Sequence, residues 1–173
     1  MGIVRAVCKS AEKGTAKRDV GQAEFVAGHG IRGDAHAGDW SRQVSLLSLG
    51  KIDEFRSKGA EVINGGFGEN LVVEGIDFAS LPVGSVLRCG DVRLEISQIG
   101  KECHNHCAIF KRMGDCIMPR EGVFARVLHG GVIRAGDEMR LETAGASGEP
   151  ERVYAAADRA GRWEPLTVAG PSE

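Results

Sequence analysis

No apolar run in this chain approaches the ~20 residues that a membrane-spanning helix requires. The N-terminal MGIVRAVCKS has neither the long apolar stretch nor the small-residue cleavage site of a secretory signal. Neither charge dominates: 22 Lys and Arg against 24 Asp and Glu leave a formal net charge of −2. That balance gives no general pull toward nucleic acid or an anionic membrane. Aromatic residues are scarce at 5%, whereas glycine supplies 25 of the 173 residues. Such a composition suits short strands joined by tight turns better than a helical bundle. Five cysteines is an odd number. With no sign of export, reduced thiols in the cytoplasm fit better than a disulfide framework. The length suffices for one domain with its own core.

Chemistry concentrates between Gly100 and Gly122, GKECHNHCAIFKRMGDCIMPREG. Three cysteines, Cys103, Cys107 and Cys116, lie there with His104 and His106, amid Lys101, Lys111, Arg112 and Arg120. Cationic neighbours favour the thiolate, the form that attacks, carries sulfur and binds metal. Three readings compete. Cys103, Cys107, Cys116 and His106 could hold a structural zinc, although C-x3-C-x8-C is looser than paired C-x2-C knuckles. One cysteine could be a nucleophile or sulfur carrier, activated by His104, Lys101 or Arg120. One thiolate could ligate a metal held by another cofactor. The bland alternative, three core cysteines, conflicts with the polarity of CHNHC.

The flanking chain predicts strands. Gly2 to Cys8 is the first, with Cys8 buried. Lys9 to Asp19 is a charged loop, and Gln22 to Ala27 a second strand. Gly28, Gly30 and Gly33 then satisfy G-x-G-x-x-G, but no helical apolar period follows, which excludes a dinucleotide site. Three readings of this loop stay open. It is an anion-binding nest with Arg32, a metal site on Asp34, His36 and Asp39, or a glycine-dense turn with Asp34 and His36 bonded to backbone. Arg42 to Leu47 predicts a third strand, and Gly50 to Lys58 a short amphipathic helix with Ile52 and Phe55 inward, capped near Gly59. Ile63 to Val73 is a glycine loop running into a buried strand. There Glu69 and Asn70 are either ligand contacts or loop hydrogen-bond partners. Ser85 to Cys89 and Val92 to Ile99 form a hairpin about Gly90-Asp91, with Cys89 structural. Gly122 to Leu128 predicts a short helix from the stripe Val123, Phe124, Val127 and Leu128. Ile133 to Asp137 turns, and Glu138 to Thr143 is a last strand with Met139 and Leu141 inward. From Ala144 the composition becomes small and polar. Residues 1–143 thus read as the domain and 144–173 as a flexible or loosely docked tail.

The segments GIRGDAHAG, RQVSLLSLGKIDEF, GGFGENLVVEGID, LPVGSVLRCGDVRLEISQIGKEC and GVFARVLHGGVIRAGDEM, in that order, resemble the MOSC domain, the C-terminal module of molybdenum-cofactor sulfurase. The resemblance spans about Gly2 to Glu142. It implies a mostly β fold, a closed barrel like the barrel domain of pyruvate kinase, with a few short helices. It also implies that Cys103, ending QIGKEC, is the family's characteristic cysteine. Gly100-Lys101-Glu102 stands where many members carry an Arg and a Pro, so Lys101 would replace a cation. Cys107 and Cys116 resemble a subgroup with CHxxC and CIMPxEGVFA stretches, linked to molybdopterin-assembly proteins.

Sulfurase-like members imply a persulfide on this cysteine; amidoxime-reducing members imply that it ligates molybdenum. The chain begins at the first MOSC strand, without the added domains of the reducing members. The expectation is therefore a stand-alone cytoplasmic sulfur carrier or sulfurtransferase, with Cys103 served by His104 and Lys101 and with Cys107 and Cys116 as secondary thiols. The implied ligand or sulfur acceptor is molybdenum cofactor (molybdopterin), contacted by Arg32, Gly33, Asp34, His36, Glu69, Asn70 and Arg120. The alternatives are a cofactor-binding protein with Cys103 as metal ligand, or the zinc domain above. Implied partners are molybdenum-cofactor biosynthesis proteins or a cysteine desulfurase. Pyridoxal phosphate is a family association only, since no residue here argues for a Schiff-base lysine. Two polar, glycine-framed motifs in one small barrel are expected to meet, bringing Arg32, Asp34 and His36 to the cysteine segment.

Overall fold

The computed structural model describes residues 1–101 and 108–145. In chain order its elements are β1 (Gly2–Lys9), β2 (Arg18–Asp19), β3 (Gln22–Val26), β4 (Gly30–Ile31), β5 (Val44–Ser48), α1 (Leu49–Ser57), β6 (Leu71–Glu74), β7 (Val86–Cys89), β8 (Val92–Ile99), α2 (Ala108–Met113), α3 (Met118–Glu121), β9 (Val123–His129), β10 (Gly131–Arg134) and β11 (Glu138–Thr143). Strands β1, β6, β5, β9, β8, β7 and β11 pair in that order, and β11 returns to β1, closing a barrel without free edges. This is the expected mostly β barrel with a few short helices. Its pairs are antiparallel except β5–β6, which is parallel and joined through α1. Strands β10, β3 and β4 form a separate small sheet.

Alternation decides which face each residue takes. Val92, Leu94 and Ile96 of β8 are buried, whereas Arg93 is exposed. They join Val44, Leu46, Leu71, Leu87, Ala125, Val127 and Met139 in the main core, to which the small sheet adds Phe25, Ile31 and Ile133. A second cluster lies outside the barrel wall. Ile52 and Phe55 of α1 pack there with Leu47, Val72, Phe124 and Met118, and Phe55 meets Phe67 edge to face at 5.5 Å. Each fully buried aliphatic or aromatic side chain contributes roughly 1.5–3 kcal/mol. Strands β5, β6 and β9 are therefore apolar on both faces.

That double burial corrects the sequence reading of Gly122 to Leu128 as a helix: Val123–His129 is a strand between β5 and β8. Val123, Ala125 and Val127 face the barrel core while Phe124 faces the outer cluster. An apolar residue on either face breaks the two-residue period and imitates a helical stripe. Two smaller corrections follow. Ile133 and Arg134, read as the start of a turn over Ile133 to Asp137, belong instead to strand β10 (Gly131–Arg134) against β3. Leu141, expected inward, is 42% exposed, next to a register shift in the β11–β7 ladder. Met139 is buried as expected. The tail residues 146–173 lie outside the described residues.

Two glycines set the loops that matter for the site. Gly100 ends β8 with φ +77°, and a Cβ there would collide with the Pro119 carbonyl. Its N–H donates to the Gly122 carbonyl at 2.6 Å, and the Lys101 N–H donates to the Pro119 carbonyl at 3.1 Å. The chain leaving the hairpin is thus held against α3. Gly65, φ +89°, lets the 64–68 loop touch the Lys17 backbone, and the Lys17 N–H donates to its carbonyl at 3.0 Å.

Candidate functional site

The GDAHAG loop holds a buried ion pair. Lys17, 1% exposed, donates from Nζ to Asp34 Oδ1 at 2.7 Å, and the Asp34 side chain is wholly buried. The same ammonium lies 3.0 Å from His36 Nδ1 and 3.3 Å from Ser10 Oγ. Asp34 also accepts from the N–H groups of Ser10 and His36. Burial, then the Lys17 charge, holds the His36 imidazole below its ordinary pKa; Asp34 opposes this, and Lys101 and Lys13 add to it. An ammonium already fills the space between Asp34 and His36, so these two do not share a metal. Among the described residues no cluster of three His, Cys, Asp or Glu could hold one.

Beyond His36 the chain supplies an aromatic and a cation. Trp40 donates from Nε1 to the His36 carbonyl at 2.7 Å. The Arg42 guanidinium sits 4.7 Å from the Trp40 ring centre and 5.7 Å from that of Phe124, and Lys13 Nζ lies 5.9 Å from Trp40. Behind them Asn70, nearly fully buried, accepts from the Ser45 N–H and donates to the Cys8 carbonyl.

These groups surround one cavity of about 360 Å³, lined by Lys13, His36, Trp40, Arg42, Ser45, Gly68, Asn70, Lys101, Met118 and Phe124. No carboxylate pairs with Lys13, Arg42 or Lys101 among the described residues. Three uncompensated cations beside an indole suit an anionic ligand carrying a flat ring: the cations meet its oxygens and the indole its face.

The structure divides the residues proposed from sequence. His36, Asn70 and Lys101 line the cavity. Asp34 lies behind it, tied to Lys17. Arg32 turns to the surface and pairs with Glu24, Nε to Oε2 at 2.7 Å. Gly33 has φ +80° in a turn, with no helix after it. The N–H groups of Arg32, Asp34, Ala35, Ala37 and Gly38 all donate to protein carbonyls, so anion donors at the cavity come from side chains. Glu69 is sealed in the glycine loop, accepting from the N–H groups of Gly65 at 2.6 Å and Phe67 at 2.9 Å. Burial pushes its carboxyl up to about 7 despite those donors. Arg120 is held by both oxygens of Asp115 at 2.9 Å and lines a separate small pocket rather than the cavity. Cys116 is buried among Ile117, Met118 and Phe110. Cys103, His104, His106 and Cys107 lie outside the described residues.

Sequence reasoning passed over Lys13, Lys17, Trp40, Arg42 and Phe124. Trp40 and Arg42 directly follow the glycine motif, an aromatic and a cation two apart, and that was a usable signal. Lys17 carried none, being one of several cations in a charged loop.

The family model for the MOSC domain matches residues 33–140, more than half of the chain. The chain belongs to the MOSC domain family. This family is associated with molybdenum-cofactor function. The matched span of this MOSC domain runs from the GDAHAG loop to β11 and contains every cavity residue except Lys13. No curated protein sequence matches the chain. Among solved structures, the YUAD protein from Bacillus subtilis is similar at 20% identity, covering 80% of this chain and 94% of its own, with a TM-score of 0.62. YiiM from Geobacillus stearothermophilus is similar at 16% identity, covering 83% of this chain and 76% of its own, also with a TM-score of 0.62. YiiM from Escherichia coli is similar at 18% identity, covering 85% and 73%, with a TM-score of 0.56. At these identities the likeness is one of fold. No helix among the described residues is long and apolar enough to cross a membrane.

Proposed function

We propose that this MOSC domain is a sulfur carrier for molybdenum-cofactor chemistry, with Cys103 holding the sulfur as a persulfide. The observation that supports it is the convergence of Lys101 with Lys13, Arg42 and His36 on one cavity. Cys103 follows Lys101 by two residues, so chain length alone keeps their Cα atoms within about 7 Å. Lys101, which pairs with no carboxylate among the described residues, is a cation at that range and favours the thiolate of Cys103, with His104 as the second stabilising group. The thiolate attacks the terminal sulfur of a persulfide on a donor such as a cysteine desulfurase. The new Cys103 S–S bond forms as the donor's S–S bond breaks, and the donor cysteine leaves as thiolate. Cys107, four residues on in sequence, is proposed as the resolving thiol: its attack on the inner sulfur would form a Cys103–Cys107 disulfide as the persulfide S–S bond breaks and the outer sulfur leaves as hydrosulfide. Molybdenum cofactor is the acceptor. Its phosphate would be held by Lys13, Arg42 and Lys101, and its flat ring system by Trp40; its metal centre would supply a binding place for the sulfur.

Mass spectrometry of the full chain after incubation with a cysteine desulfurase and cysteine tests this. One added sulfur of about 32 Da, removed by a thiol reductant, is expected. Cys103→Ser should abolish the gain with stability nearly unchanged, and Cys116→Ser should retain most of it. The structural-zinc alternative forecasts the reverse. Stoichiometric zinc, comparable unfolding on replacing Cys103, Cys107 or Cys116, and no mass gain would overturn the proposal.

A further inference from the structure

We infer that the buried Lys17 is a positioning residue: it fixes the His36 imidazole as the tautomer protonated on Nε2, which faces the cavity as a hydrogen-bond donor to bound ligand. The donor role rests on reading the cavity as the ligand site; the tautomer does not.

The argument is one of donors and acceptors. An ammonium has three N–H donors and no acceptor. Around Lys17 Nζ stand Asp34 Oδ1 at 2.7 Å, His36 Nδ1 at 3.0 Å and Ser10 Oγ at 3.3 Å, one acceptor for each donor. Lys17 is 1% exposed and the Asp34 side chain 0%, so water cannot replace any of them. An N–H on Nδ1 would point its proton at the ammonium. Nδ1 must therefore present its lone pair, and the proton of the neutral ring lies on Nε2. No described residue bonds that nitrogen, and the ring lines the cavity. The rest of His36 is also pinned: its N–H donates to Asp34 Oδ2 at 3.3 Å, and its carbonyl accepts from Trp40 Nε1 at 2.7 Å. The charged groups around the ring are Lys17 and Asp34 behind it, with Lys101 and Lys13 on the cavity side. Three of these four are cationic, so the ring stays neutral while its N–H is polarised toward a ligand oxygen or thiolate. A neutral imidazole can serve as such a donor where a charged one would serve as an acid.

Two measurements on the full chain decide it. The first is two-bond proton–nitrogen NMR of the labelled imidazoles from about pH 5.5 to about pH 8. His36 should show the Nε2-protonated neutral pattern throughout. The pair Lys17→Met with Asp34→Asn removes both charges and keeps an acceptor for the Ser10 N–H. In that variant the ring should return to mixed tautomers, while burial, Lys101 and Lys13 still hold its titration below the ordinary value. An Nδ1-protonated ring in the wild type, or an unchanged pattern in the double variant, overturns the role of Lys17. The second is binding of inorganic phosphate. His36→Gln, which can place an amide N–H near the Nε2 position, should keep affinity within about twofold, whereas His36→Leu should lose about tenfold. Equal losses in both variants overturn the donor role. Absence of phosphate binding in the wild type overturns it together with the cavity reading, while the NMR pattern still decides the tautomer.

Discussion

Asn70 and Ser45 clasp each other inside the cavity wall. Asn70 Oδ1 accepts from the Ser45 N–H at 2.9 Å and its hydroxyl at 3.1 Å, and the Asn70 N–H donates to the Ser45 carbonyl at 2.9 Å. The Asn70 amide also donates to the Cys8 carbonyl at 3.0 Å, so one side chain joins β1, β5 and the start of β6. Asn70→Ala removes the partner of the buried Ser45 N–H and of the Cys8 carbonyl, a loss of about 3 kcal/mol. Urea denaturation of the variant should show it; a loss below about 1 kcal/mol would count against the clasp.

The Lys17–Asp34 pair predicts a non-additive pattern. Asp34→Ala strands a buried ammonium and should cost about 3–5 kcal/mol. Lys17→Met with Asp34→Ala, which removes both charges, should cost less than Asp34→Ala alone. Guanidinium denaturation of the singles and the double measures the coupling, and a double variant at the sum of the singles would refute it.

Glu69 should make stability fall as pH rises. Its folded pKa, about 7, is raised from 4.5 by burial first. Between those values the folded chain holds a proton that the unfolded chain has lost. The stabilisation is complete below 4.5 and is lost as pH climbs to about 7, on the order of 3 kcal/mol in all. Glu69→Gln should flatten this slope. A wild-type midpoint that rises across the window would contradict the assignment.

Cys8 and Cys89 should be inert in the folded chain. They are 0% and 2% exposed, and burial pushes both thiols up to about 12. Iodoacetamide at about pH 8 should leave both unmodified in the native state and modify both in urea. Native labelling of either at the unfolded rate would show the barrel to be open there.

Arg42, between Trp40 and Phe124, should report the ligand. Phosphate should change Trp40 fluorescence, read with Trp163→Phe to isolate it, and Arg42→Gln should weaken binding about five- to tenfold. Arg42→Lys should rescue only part of this, because an ammonium lacks the planar stack. Full rescue by lysine would show that charge alone is at work.

Local chemistry made much of this protein readable without coordinates. The β7–β8 hairpin was legible because Gly90-Asp91 and the alternation from Val92 to Ile96 are short-range signals. Helix α1 was legible from Ile52, Phe55 and the terminating Gly59, which takes φ +96°. Rejection of the dinucleotide motif needed only the missing helical period after Gly33. Strand β9 was not legible, because burial on both faces erases the period that distinguishes strand from helix. The cavity was not legible either. Lys17 reaches Asp34 and His36 only when the loop before β2 folds onto the one after β4. Arg32 and His36, four residues apart in one motif, part company because Glu24 claims the first and Lys17 the second. Sequence by itself settled the elements whose causes lie within a few residues. Only the closed barrel decided which side chains met, since such meetings depend on burial and on partners distant along the chain.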